Sequence, residues 1–79
     1  MFSIVGRHEN RYLQLGLNIA YFRRLKGYTQ TRLAEIVGIS RTHISNIEAP
    51  GVEKSISLDV LFDIAEALGV EPMKLLEIR

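Results

Sequence analysis

The stretch Gln30–Glu48, QTRLAEIVGISRTHISNIE, constrains the fold of this chain more than any other. Leu33 and Val37 are four residues apart and share one face of a helix, and Ile44 and Ile47, three apart, share a face of another. Gly38 lies between them and can take the positive φ that a sharp helix-ending turn requires. Ala34 is small, so a second helix can pack close over the first, and Ser40 stands where an N-cap hydroxyl is wanted. The spacing therefore predicts a helix–turn–helix over about 30–49, with the second helix over about 41–49. The outward positions of that second helix are Arg41, Thr42, His43, Ser45 and Asn46, all hydrogen-bonding side chains with no carboxylate among them. Such a helix can be pressed against a polyanion and read base edges.

The flanks predict three more helices. Tyr12, Leu15, Ile19 and Phe22 follow three- and four-residue spacing, with Leu25 close by, and mark the buried stripe of a helix from about 9 to 26. Asn18, Arg23, Arg24 and Lys26 fall mainly on its other faces. Lys26 in the last turn suits the helix dipole, and Gly27 ends the helix. Tyr28 reads as a half-buried packing residue and Thr29 as the N-cap of the helix that begins at Gln30. Pro50-Gly51 stops the helix over about 41–49, and residues 50–56 read as a loop. Ser57 caps a fourth helix whose buried stripe is Leu58, Leu61, Ile64, Ala65 and Leu68 and which Gly69 terminates. Pro72, suited to a first helical position, opens a short fifth helix in which Leu75 and Leu76 close the core. The expected fold is all-α, five helices in one domain over 1–79. Residues 1–8 are open: Phe2, Ile4 and Val5 suit an arm or strand packed on the body or on a second subunit, and equally a terminus without fixed structure. Arg7 and His8 would let such an arm reach DNA.

A chain of 79 residues buries only a small core, and without cysteine it has neither a disulfide nor a thiolate metal site to staple it. Stability must come from helix packing, aided by dimerisation. No apolar run approaches the roughly 18 residues of a membrane span, and the apolar start is too short for a signal sequence, so a cytoplasmic location is expected. The net charge of +1 requires a nucleic-acid binder to gather its basic groups on one face.

On Gln30, Leu33, Ala34, Gly38, Ile39, Ser40, Ile44, Ile47 and Glu48, the chain resembles the phage-repressor and Cro-like family of helix-turn-helix regulators, whose fold is the five-helix lambda-repressor-like domain. The resemblance continues through Thr29-Gln30 and the run Ser57-Leu58-Asp59-x-Leu61 to Ala65-x-x-Leu68-Gly69-Val70, and it covers about residues 15–77. It implies base reading from Arg41, Thr42 and Asn46. Arg41 can bond guanine O6 and N7 bidentately, and Asn46, one turn beyond Thr42, can pair with adenine N6 and N7. Arg41 as a phosphate contact or a solvated charge is the plainer alternative. The resemblance also implies backbone contacts from Gln30, at a helix N-terminus where phosphate is favoured, and from Lys54 in the loop. Ser40 and Ser45 suit phosphate too, and His43 is either a DNA contact or merely exposed. Arg23 and Glu48 are implied as a structural ion pair between the first and third helices. The loop carries Glu53 and one lysine, fewer positive charges than the family usually places there, which predicts a shallow salt dependence.

Enzyme chemistry finds no footing. His8 and His43 sit on different elements, no glycine-rich phosphate loop is present, and Asp59, Asp63 and Glu66 recur at the intervals of a solvated helix face. No metal or cofactor is expected. The reading is a DNA-binding transcriptional regulator, a repressor acting as a homodimer on double-stranded DNA. The alternative is a protein-binding module, an antitoxin-like partner or accessory subunit, which the acidic residues Glu53, Asp59, Asp63 and Glu66 leave open.

Overall fold

The computed structural model describes residues 8–51 and 55–78. The expectations placed on Phe2, Ile4, Val5 and Arg7, and on Glu53 and Lys54, lie outside the described residues. Five helices follow in order: α1 Glu9–Leu25, α2 Gln30–Val37, α3 Arg41–Glu48, α4 Leu58–Leu68 and α5 Pro72–Leu76. Helix α1 is the spine. It packs against α3, α4 and α5, while α2 packs against α3 and α4. Among the described residues no helix is long and apolar enough to cross a membrane.

The helix starts follow their caps. Thr29, Ser40 and Ser57 each sit in extended backbone and accept, on the side-chain hydroxyl, the N–H of the residue three further on: Arg32 at 3.0 Å, His43 at 3.0 Å and Val60 at 3.1 Å. Each cap satisfies one of the N–H groups that a helix start leaves without an internal partner. The ends follow equally simple rules. Gly38 adopts φ +82°, and its N–H and that of Ile39 both donate to the carbonyl of Ala34, turning the chain into α3. Ala49 is extended with ψ 133°, as a residue before proline prefers, and α3 stops at Glu48.

One apolar cluster joins all five helices: Leu15 and Ile19 of α1, Leu33 and Ala34 of α2, Ile44 and Ile47 of α3, Leu61, Ile64, Ala65 and Leu68 of α4, and Leu75 of α5. Phe22, Tyr28, Val37 and Ile39 pack partly buried around it. Four expected core positions face water instead. Tyr12 is exposed, Leu25, in the last turn of α1, is 66% exposed, Leu58 is 67% exposed and Leu76 is 53% exposed. Leu58 is the first residue of α4, and the buried stripe of that helix begins at Leu61. Leu76 is the last residue of the five-residue α5, whose buried side chain is Leu75.

The face of α1 turned to the protein also differs from the apolar stripe expected for it. Helical spacing assigns Asn18 and Arg23 mainly to outer faces, yet both are buried, Asn18 to 2% exposure. Asn18 is tolerated there because every polar atom of its side chain is used. Its Nδ2 donates to the carbonyls of Leu75 (3.0 Å) and Glu77 (2.8 Å), and its Oδ1 accepts from Gln14 Nε2 (3.0 Å). The side chain thus pins the end of α5 to the middle of α1. Among the described residues no buried side-chain nitrogen or oxygen lacks a partner.

Candidate nucleic-acid interface

Helix α3 divides sharply along its length. Ile44 and Ile47 are buried, while Arg41, Thr42 and Asn46 are exposed on the other side. At about 100° per residue, Thr42, Ser45 and Asn46 point away from the two isoleucines, and Arg41 flanks them at the N-terminal end. Ser45 and His43 are half-buried, His43 nearer the core edge. The face therefore gathers the three expected base readers on one helix, with a small side chain, Ser45, among them.

The only carboxylate on α3 is turned away from this face. Glu48 takes Arg23 Nε at 2.7 Å on one oxygen, and on the other it takes Arg23 Nη2 at 3.0 Å and Gln30 Nε2 at 3.0 Å. The guanidinium and carboxylate meet as a planar fork, with side chains only 9% and 6% exposed. Arg23 spends a further donor, Nη1, on the carbonyl of Tyr28 at 2.8 Å, which ties the α1–α2 connection to the same node. The ion pair expected between α1 and α3 is thus present and buried. Its electrostatic consequence is local: the negative charge of Glu48 is neutralised beneath the helix, and Arg41 is left as the charge on the exposed side.

Gln30 stands at the first position of α2, beside the N–H groups that precede the first internal helical bond. One amide hydrogen is committed to Glu48. The second hydrogen remains for an anion and the amide oxygen for water or another donor, so one side chain can brace α3 and donate to a phosphate together. Ser40 is in the same position: its oxygen accepts from His43 N, and its hydroxyl proton is still available to a phosphate.

Two buried residues that seat α1 against its neighbours, one against α5 and one against α3, were not recognised from sequence. Asn18 is one. The other is Gly16, buried in the middle of α1, where a Cβ would stand 2.5 Å from the carbonyl oxygen of Ile47 and 3.2 Å from that of Glu48. An isolated glycine inside a helical run was the available signal, since it costs about 1 kcal/mol relative to alanine there.

Residues 19–75 match the family model described as helix-turn-helix. The control protein C.SmaI of Serratia marcescens is 36% identical over 62 residues, spanning 78% of this chain and 71% of that protein. The fold is close to that of the restriction-modification controller protein C.AhdI from Aeromonas hydrophila, with TM-score 0.74 and 28% identity over 81% of this chain and 94% of that one. It is also close to the biofilm regulator SinR solved in complex with DNA, with TM-score 0.73 and 30% identity over 80% of this chain and 98% of that one. SinR is known as well in a complex with a protein, SinI. The chain belongs to the helix-turn-helix family. Within that family it is a DNA-binding transcriptional regulator, similar to controller proteins and to SinR, and its relatives are regulators rather than enzymes.

Proposed function

We propose that the chain reads double-stranded DNA by laying α3 in the major groove, with Arg41, Thr42 and Asn46 meeting base edges. The observation that carries this is the composition of α3's exposed side. It offers a guanidinium, a hydroxyl and an amide, and its one carboxylate is folded back onto Arg23. Arg41 suits guanine and Asn46 suits adenine. Gln30, Ser40, Ser45, His43 and Lys54 serve the phosphates, which fix register without specifying sequence. A single domain with three base readers needs a second copy for selectivity. The protein acts as a two-fold dimer on half-sites about 34–36 Å apart, with the exposed Met73, Leu76 and Ile78 available to the partner. Bound across a promoter, in the cytoplasm where its DNA lies, the dimer represses. The protein complex of SinR supports a second reading in which a protein partner regulates the domain, and the exposed Asp59, Asp63 and Glu66 of α4 supply an acidic face for it.

Fluorescence anisotropy on DNA from upstream of the protein's own gene, beside a scrambled duplex, tests the reading. Wild type is expected to prefer the native duplex by about 4 kcal/mol or more. Arg41→Ala is expected to lose about 1–3 kcal/mol of that preference while keeping most of the salt dependence. Equal binding of both duplexes by wild type would defeat the proposal, and a pull-down for a protein partner would follow.

A further inference from the structure

We infer that Gly16, on α1 and remote from the exposed face of α3, is a positioning residue for sequence reading; the inference rests on the proposal that α3 reads bases. The argument starts from the two carbonyls that its missing side chain admits. Those of Ile47 and Glu48 close the last turn of α3, and a Cβ at position 16 would lie 2.5 Å from the first and 3.2 Å from the second. A carbon–oxygen contact ordinarily sits at about 3.3–3.6 Å, so a single methyl group would drive the end of α3 away by roughly 1 Å. Both obstructing groups are backbone, and no side-chain rotation relieves the clash. On the same face of α1, Ala20 is small and buried, and Arg23, two turns on, grips Glu48. The C-terminal end of α3 is thus seated on α1 by a backbone contact at one level and an ion pair at the next.

Displacing that end does not move all readers alike. Helix α3 is about 12 Å long, and its N-terminal end is held separately by the Gly38 turn and the Ser40 cap. Asn46 adjoins Ile47 and travels with the displaced end. Arg41 sits at the far end and has a long side chain to compensate. Hydrogen bonds to bases work over a window of about 2.7–3.2 Å, narrower than the shift. Gly16→Ala therefore selectively weakens the contact made by Asn46.

The test uses the full chain and the duplex that wild type selects from a random-sequence pool, with its single-base-pair variants and a scrambled duplex as competitors. Gly16→Ala is compared with Ile64→Val, a core control on α4, at a temperature where circular dichroism shows each variant folded. The expected result is a preference for the selected duplex lowered about tenfold, concentrated at the base pair whose recognition Asn46→Ala also abolishes, with the salt slope unchanged. Ile64→Val should melt earlier and read like wild type. If Gly16→Ala is unfolded at 25 °C, the comparison moves to 5 °C in trimethylamine N-oxide. Overturning results are an undiminished preference, an equal loss in Ile64→Val, or a Gly16→Ala chain that stays unfolded even there, since the glycine then serves folding alone. A wild type that selects no duplex fails the DNA-reading proposal first and this inference with it.

Discussion

Replacing Arg23 by Met while leaving Glu48 in place strands a carboxylate that is 6% exposed. Glu48 loses bonds at 2.7 and 3.0 Å and keeps only the amide of Gln30, and the carbonyl of Tyr28 loses the donor it had at 2.8 Å. Breaking a buried pair from one side costs about 3–5 kcal/mol, most of it the desolvation of the charge left behind. A chain of 79 residues has roughly 4–12 kcal/mol of stability in total, at about 0.05–0.15 kcal/mol per residue. The single change thus removes about a quarter of it or more. At about 4–8 °C per kcal/mol for a domain this small, the midpoint of thermal unfolding falls by roughly 12–40 °C. Removing both charges has a different outcome. In Arg23→Met with Glu48→Leu no ion remains to be desolvated, and the double variant should stand within about 1 kcal/mol of wild type or above it. Urea titration followed by helical circular dichroism measures all three proteins. A loss below about 1 kcal/mol in Arg23→Met, the size expected of a solvated pair, would refute the argument. So would a double variant no more stable than the single one.

Asn18→Leu should cost about 1–3 kcal/mol, because the carbonyls of Leu75 and Glu77 lose their donor; hydrogen exchange should show α5 opening while α2 and α3 stay protected. Gly38→Ala places a methyl group where nothing lies within 4 Å, so its penalty is that of φ +82° alone, about 1–2 kcal/mol by urea titration. Gly38→Asn should cost less than Gly38→Ala, since asparagine tolerates that conformation better.

Local chemistry made most of the architecture legible. Hydroxyls at positions 29, 40 and 57 cap the helices because a cap needs only its own turn, and Gly38 and Gly69 end them for the same reason. The core of α2 and α3 was equally plain, since short amphipathic helices have one apolar side each. Reading failed where the deciding partner is distant in sequence. Asn18 looks like a solvated residue until the chain brings carbonyls 57 and 59 residues away against it. Gly16 is explained only by the backbone of α3. Tyr12, Leu25, Leu58 and Leu76 follow or adjoin the apolar period yet are exposed, since periodicity cannot register which positions the other helices cover. For the interface, residue types and their spacing identified the exposed side of α3, and the buried Arg23–Glu48 pair was implied by family resemblance rather than by any local pattern.

The division of α3 into a side that holds the fold and a side that faces outward has a consequence for how such a regulator diverges. Ile44, Ile47 and Glu48 carry the obligations to the core, and Arg41, Thr42 and Asn46 carry none. Exchanging the outer three leaves capping, packing and the ion pair untouched. On the proposal that these three read bases, a duplicated copy drifts to a new target sequence by surface substitutions that leave the core contacts of α3 in place.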